Sequence, residues 1–222
     1  HIHEIDLGMN HAASQQGISA SSSVVHHDFS PKNLLLTADN RVKISDFNNA
    51  HLMRYDTEKK RSCYEFTWDH LCGKTIERTN RRSPEECLIS LGKMNVTSKG
   101  KTKKEKKQIH RFANLVWSTP TTERTEVYHL GTVLHFILSE EDFPYRFEKQ
   151  MTTDGSYYEP SPKEVKDLIL IGDKPPLPPE IEHSNDPAIR VIIRAMKEAF
   201  TFHMKYRPSA RSIANIIDEM FV

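Results

Sequence analysis

The amino-acid sequence predicts an α+β fold that is mainly helical, in which a short β-hairpin precedes a larger helical body. Two observations predict this class. Two short apolar runs, Leu34–Leu36 and Val42–Ile44, flank a polar turn near the start of the chain. Residues 126–222 then carry apolar side chains at helical spacing. A length of 222 residues allows one large domain.

The hairpin is predicted from its turn. Residues 37–40, Thr-Ala-Asp-Asn, separate the two apolar runs, and Asp and Asn favour turns because their side chains bond to nearby backbone groups. Pairing the runs puts Asn33 at the start of one strand and Asp46 just past the end of the other. We therefore expect both side chains at the same end of the hairpin, where they could converge on one metal ion.

Helix starts are predicted from capping signals. Ser83-Pro84-Glu85-Glu86 and Ser161-Pro162-Lys163-Glu164 each carry Ser as the N-cap, Pro next, and Glu at the third helical position. Asp186-Pro187 and Pro208 are predicted to open the last two helices.

One further helix is predicted from apolar spacing alone, and we expect it to be central and buried. Its apolar residues are Val127, Leu130, Val133, Leu134, Ile137 and Leu138. Residues 47–82 show no clear periodicity and are predicted to form a long loop. The lysine-rich residues 93–111 are predicted to be a solvated basic insertion.

Composition narrows the function classes. The formal net charge of +1 argues against a nucleic-acid or membrane-surface partner. The three cysteines, Cys63, Cys72 and Cys87, are an odd number without metal-ligand spacing, which is typical of a reduced, intracellular chain. We find no apolar run of transmembrane length. We expect a cytoplasmic location, alone or as the cytosolic part of a larger protein.

Two motifs indicate the chemistry. Residues 26–33, His-His-Asp-Phe-Ser-Pro-Lys-Asn, have the pattern H-x-D-x-x-x-x-N, and Asp46-Phe47-Asn48 follows one hairpin later. Metal-assisted phosphoryl transfer needs one carboxylate to take a hydroxyl proton, and an amide and a second carboxylate to hold Mg²⁺ on ATP phosphates. Asp28, Asn33 and Asp46 supply these groups in the required order.

With these motifs the chain resembles the C-terminal lobe of a eukaryotic protein kinase. Further matches are Ser83-Pro84-Glu85, similar to the A-P-E motif, residues 126–131, similar to the start of the buried central helix, and Arg207-Pro208-Ser209. The resemblance divides residues 1–222 into four parts. They are the catalytic loop and metal-binding hairpin (24–50), the activation segment (46–86), the basic insertion (93–111) and the helical subdomain (126–222).

The resemblance implies a role for each matched residue. Asp28 would be the catalytic base, Lys32 would lie near the transferred phosphate, and Leu35 would contact the adenine. Asn33 and Asp46 would bind ATP and Mg²⁺ as the metal ligands. The structural residues would be His26, Phe47, Glu85, Glu126 and Arg207, with Glu85 and Arg207 forming an ion pair. The implied partners are ATP and a protein substrate, whose hydroxyl would be that of Ser/Thr or Tyr.

Three departures from the family pattern indicate an alternative function. His27 replaces an arginine, Asn48 a glycine and Glu126 an aspartate. Asn tolerates positive φ, so we expect Asn48 to preserve the backbone turn. These replacements favour a pseudokinase that serves as a binding or scaffold module. A small-molecule phosphotransferase also carries H-x-D-x-x-x-x-N, but the three downstream motifs favour the protein kinase branch.

The family's N-terminal lobe is not represented in the sequence. The 25 residues before His26 contain no glycine-rich loop and no lysine, so we expect that lobe upstream in a longer protein. Nucleotide affinity and positioning should both suffer without a cover over the phosphates. We therefore expect the isolated chain to be inactive even if the whole protein is an active enzyme.

Overall fold

The computed structural model describes residues 24–56, 61–63, 82–91, 123–141, 144–145 and 160–221. Over these residues the protein is mixed α+β and mainly helical, which confirms the predicted class. The predicted basic insertion (93–111) lies outside the described residues, as do residues 57–60 and 64–81 of the predicted activation segment.

Six short strands form three antiparallel pairs within the described residues. β2 (Leu34–Leu36) pairs with β3 (Val42–Ile44), so that Leu34 lies opposite Ile44 and Leu36 opposite Val42. The other strands are β1 (Val24–Val25), β4 (His51–Leu52), β5 (Arg54–Asp56) and β6 (Arg61–Cys63), with β1 paired to β4 and β5 to β6.

The predicted hairpin is confirmed at both strands. Its turn is closed by the Asn40 amide, which donates to the Thr37 carbonyl at 2.9 Å. Asn40 has φ 59°, a left-handed conformation that Asn adopts more readily than most residues. The turn therefore forms where the Asp-Asn pair predicts it.

Residues 47–82 do not form one long loop, and that prediction is wrong over the described part. Phe47–Asn49 form a 3-10 turn, and β4, β5 and β6 follow it. Each of these strands is two or three residues long. Runs this short carry no readable alternation, and their pairing depends on tertiary contacts.

The helical body contains six described α-helices. They are α1 (Pro84–Leu91), α2 (Arg124–Ser139), α3 (Pro162–Ile171), α4 (Pro179–Glu182), α5 (Pro187–Ala199) and α6 (Ala210–Asp218). A 3-10 turn, Glu219–Phe221, follows α6. Among the described residues, no helix combines the length and apolar character needed to cross a membrane.

The predicted helix caps are confirmed at α1, α3 and α5. At α3 the Ser161 amide donates to Glu164 Oε2 at 2.9 Å, and the Glu164 amide donates back to Ser161 Oγ. The last helix begins two residues later than predicted, because Ser209 and not Pro208 supplies the cap. Its Oγ accepts from the Ser212 amide at 3.1 Å.

Two apolar clusters hold the helices together. The larger one joins α2, α5 and α6, with Tyr128 stacked edge-on against Phe200 at 5.0 Å between ring centroids. The smaller one joins α1 to α3 through Leu88 and Ile169. Ile137 was predicted to be buried in α2 but is 56% exposed. The remaining members of its predicted stripe are buried or half-buried, so α2 is central as expected.

Candidate functional site

The loop from β1 to β2 carries the first motif, and hydrogen bonds fix its backbone. It ends in a 3-10 turn, Pro31–Asn33, in which the Asn33 amide donates to the Ser30 carbonyl at 3.0 Å. The buried Asn33 side chain then donates from Nδ2 to the Asp28 carbonyl at 2.7 Å. Because Nδ2 is engaged there, Oδ1 is the Asn33 side-chain atom suited to a cation.

His26 joins this loop to the end of β3. Its Nε2 lies 2.8 Å from the Ser45 carbonyl, and its Nδ1 lies 3.2 Å from the Asp28 amide. A carbonyl only accepts and an amide only donates, so these two bonds require the tautomer protonated at Nε2. The ring also packs against Phe47 at 4.9 Å between centroids. His26 thus links the loop to the end of β3 and to Phe47, whose own side chain is 43% exposed.

Glu126 reaches the same loop from α2. Its Oε1 accepts from the His27 amide at 2.7 Å. His27 has φ 62°, a conformation that is costly for a side chain with a Cβ. The buried carboxylate of Glu126 stabilises this left-handed residue directly before Asp28.

Asn33 and Asp46 lie at the same end of the β2–β3 hairpin, as predicted. Ser45 ties the two ends together, because its amide and its Oγ both donate to the Asn33 carbonyl, at 2.8 and 3.1 Å. Asp46 follows with φ 60° and ψ 63° and is exposed. Carboxylate and amide oxygens are ligands that Mg²⁺ accepts, so the chemistry of this pair fits the implied ion.

The glycine-like backbone turn is at Asp46 and not at Asn48. Asn48 lies within the 3-10 turn Phe47–Asn49 and is not among the described non-glycine residues with positive φ. The expectation that Asn48 takes the left-handed conformation is therefore wrong. Asp46 takes the left-handed conformation, and Phe47–Asn49 then form the 3-10 turn.

The remaining predicted site residues lie around this loop. Asp28 is half-buried, with its backbone amide and carbonyl held as described above. Lys32 is exposed, and Leu35 is 53% exposed on β2. These positions leave both side chains accessible to a ligand above the hairpin. Among the described residues, no group of three or more His, Cys, Asp or Glu side chains is arranged to hold a metal ion.

The predicted ion pair between α1 and the segment before α6 is confirmed. Arg207 Nη1 lies 2.7 Å from Glu85 Oε1, and both side chains are fully buried. Thr125 of α2 also donates to Glu85 Oε1, at 3.0 Å. The pair is structural, because it joins α1 and α2 to the segment before α6 without reaching solvent.

The sequence reasoning missed a second buried cluster, formed by Glu86 and His129. His129 Nε2 lies 2.7 Å from Glu86 Oε2, and His129 Nδ1 lies 3.6 Å from Glu126 Oε2. Glu86 also caps α1, where it accepts from the Ser83 amide at 2.8 Å. The only available signal was the spacing of Glu126 and His129, one helical turn apart on a helix predicted to be buried.

This cluster shifts the pKa of each member. Burial alone would lower the pKa of His129, but the two carboxylates of Glu86 and Glu126 raise it well above its usual range. Burial likewise favours a higher pKa for Glu86 and Glu126, but the charge and hydrogen bonding of His129, together with contributions from His27, outweigh burial and lower both pKa values. The imidazole and the two carboxylates therefore each favour the charged form of the other.

Comparison with known proteins does not identify a family for the chain. The chain matches no protein-family model, and no curated protein is significantly similar to it.

Proposed function

We propose that this chain is the catalytic lobe of a protein kinase, which transfers the γ-phosphoryl group of ATP to a protein hydroxyl. The observation that carries the proposal is the anchoring of Asp28 on both sides. Its amide donates to His26 and its carbonyl accepts from Asn33. A base held in this way can meet a substrate hydroxyl in a fixed position.

In the proposed reaction the Asp28 carboxylate accepts the proton of the substrate hydroxyl. The hydroxyl oxygen forms a bond to the γ-phosphorus, the bond from that phosphorus to the bridging oxygen breaks, and ADP leaves. Asn33 and Asp46 would hold Mg²⁺, which when bound offsets the charge of the phosphates. Lys32 is an accessible cation on the same loop and would contact the transferred group.

The nucleotide-binding part of the proposal is tested by amide NMR of the chain with ATP, with and without Mg²⁺. We expect resonances of residues 28–33 and 46–48 to shift only when Mg²⁺ is present. Asp46→Asn should abolish the Mg²⁺-dependent shift. Asp39→Asn is the matched control, since Asp39 is an exposed aspartate in the turn of the same hairpin. No shift at millimolar ATP, or equal shifts in the two variants, would contradict the proposal.

A second candidate function is a pseudokinase that binds partners without turnover. The residues His27, Asn48 and Glu126 favour it, because they replace the arginine, glycine and aspartate of the kinase pattern. The exposed apolar residues Leu36 and Val42 on the hairpin are also suited to a partner. Phosphoryl transfer by the full-length protein that is lost in Asp28→Asn would decide for the enzyme.

A further inference from the structure

A buried chain of charged groups connects α1 to the loop that carries Asp28. Glu86 at the start of α1 contacts His129 Nε2 at 2.7 Å. His129 Nδ1 faces Glu126 Oε2 at 3.6 Å, and Glu126 Oε1 accepts from the His27 amide at 2.7 Å. All three charged side chains are buried. Glu126 and His129 of α2 therefore link α1 to the loop, two segments that are distant from each other in sequence.

The two carboxylate oxygens of Glu126 have different neighbours. His129 can therefore affect the hydrogen bond between Glu126 and the His27 amide. Oε1 binds the catalytic-loop amide, whereas Oε2 is held by charge attraction to His129, since 3.6 Å is longer than a hydrogen bond. A buried carboxylate without a cation pays a large desolvation penalty and tends to take up a proton. A neutral Glu126 would be a weaker acceptor for the His27 amide.

Charged groups on three elements of the described part of the chain surround His129. Glu86 comes from α1, Glu126 from α2 itself, and His27 from the loop, with its Nδ1 4.0 Å from Glu86 Oε1. Arg82, just before α1, also attracts Glu86. His27 also reaches both carboxylates, through its amide to Glu126 and its Nδ1 to Glu86, but among these groups only His129 places a ring nitrogen against each of them.

We propose that His129 is a positioning residue, whose cation between Glu86 and Glu126 couples the start of α1 to the backbone on which Asp28 is carried. Its importance for phosphoryl transfer rests on the proposed function, but the coupling itself does not. The start of α1 adjoins the end of the predicted activation segment (46–86). A change in that segment would reach the catalytic loop through Glu86, His129 and Glu126.

The coupling is tested by hydrogen exchange at the His27 amide in the 222-residue chain. We expect His129→Gln to speed exchange at His27 about tenfold more than at Ile193, a core residue that reports global opening. The matched control is His135→Gln. His135 is a second buried histidine of α2, and its Nε2 bonds to the Pro176 carbonyl at 2.8 Å, away from the loop.

Two results would overturn the proposal. One is an equal change at His27 and Ile193 in His129→Gln, which would mean that the ring only stabilises the core. The other is an equally large His27 effect in His135→Gln. Because none of these measurements uses ATP, their failure is distinguishable from failure of the proposed enzymatic function.

A variant that leaves two buried carboxylates without a cation can fail to fold, so a second variant is needed. Glu86→Gln/His129→Gln removes one charge of each sign, and Gln preserves the capping box at Ser83. We expect this protein to fold and still to show the faster His27 exchange. Wild-type protection at His27 in the double variant would refute the coupling.

The unmodified protein provides an independent check. Nitrogen-15 NMR of the ring should show both His129 nitrogens protonated at pH 7, because each faces a carboxylate. A ring with one protonated nitrogen at that pH would overturn the proposal without any variant.

Discussion

Arg207 donates from both terminal nitrogens to the Glu85 carboxylate, at 2.7 and 3.1 Å, in a site that excludes water from both side chains. Its other donors reach three backbone carbonyls, those of Arg124, Thr201 and Phe202. All five donors of the guanidinium are thus satisfied. No other side chain could satisfy the same set of acceptors, because lysine has three donors and a point charge.

We predict that Arg207→Lys and Glu85→Gln each destabilise the protein by about 3–5 kcal/mol, because each leaves buried polar groups without partners. Chemical denaturation gives the free energy of unfolding. The matched control is the exposed pair of Arg194 and Glu219, which also has two hydrogen bonds, at 2.8 and 2.9 Å. Both side chains of that pair are 53% exposed, so Arg194→Lys should cost less than about 1 kcal/mol. Similar losses for the two arginines would refute the argument from burial.

The charge cluster of Glu86, Glu126 and His129 predicts how stability depends on pH. The pKa of His129 is raised in the folded protein, so its contribution is complete below its ordinary value of 6.5 and is lost as pH rises through the folded pKa. The lowered pKa values of Glu86 and Glu126 make their contributions complete above 4.5 and lost at lower pH.

We therefore expect the stabilising contribution of this cluster to be largest between pH 4.5 and 6.5. Denaturation midpoints measured across pH give the profile. Glu86→Gln/His129→Gln should weaken the fall on the alkaline side, because the titrating imidazole is gone. An unchanged alkaline slope in that variant would contradict the assignment of the slope to His129.

Asp46 should have two separable roles, one in the backbone conformation at this position and one in metal binding. Its left-handed conformation, φ 60° and ψ 63°, suits Asp and Asn but strains a β-branched residue. We predict that Asp46→Asn leaves the denaturation midpoint nearly unchanged, whereas Asp46→Val destabilises by about 1–3 kcal/mol. Equal midpoints for Asn and Val would show that this conformation is not required. Mg²⁺-dependent ATP binding should depend on the Asp46 carboxylate. Asp46→Asn removes this carboxylate and keeps the backbone conformation, so it should weaken ATP binding without changing stability.

The end of α2 offers a stabilising substitution. Glu140 caps the helix with φ 58°, and its amide donates to the Phe136 carbonyl at 2.8 Å. The corresponding cap of α3 is Gly172, with φ 87°. We predict that Glu140→Gly raises the free energy of unfolding by about 1 kcal/mol, because glycine has no Cβ to strain this conformation. Glu140→Ala is the control, since it removes the charge but keeps the Cβ, and it should bring no gain.

Local signals in the sequence were sufficient for the elements that depend on neighbours along the chain. The hairpin strands and the capping boxes at Ser83 and Ser161 follow from turn and cap chemistry within a few residues. The pairing of the two hairpin strands also predicts that Asn33 and Asp46 lie at one end of the hairpin. The start of α6 was misplaced because Pro208 and Ser209 both carry start signals, and only the structure distinguishes the cap.

Contacts between distant segments could not be predicted from those signals. β1 pairs with β4 over two residues each, too few for a pattern. Glu86 and His129 are 43 residues apart, and neither belongs to a motif that predicts the contact. Likewise, Ser45, directly before the left-handed Asp46, is hydrogen-bonded to His26 and Asn33, which are 19 and 12 residues away in sequence.

The 122-residue separation of Glu85 and Arg207 also constrains biosynthesis. At ribosomal speeds of 5–20 residues per second, the arginine follows the glutamate by about 6 to 24 s. During that interval the nascent carboxylate keeps its hydration, because burying it alone is unfavourable. Native docking of α1 thus waits for the C-terminal part of the chain.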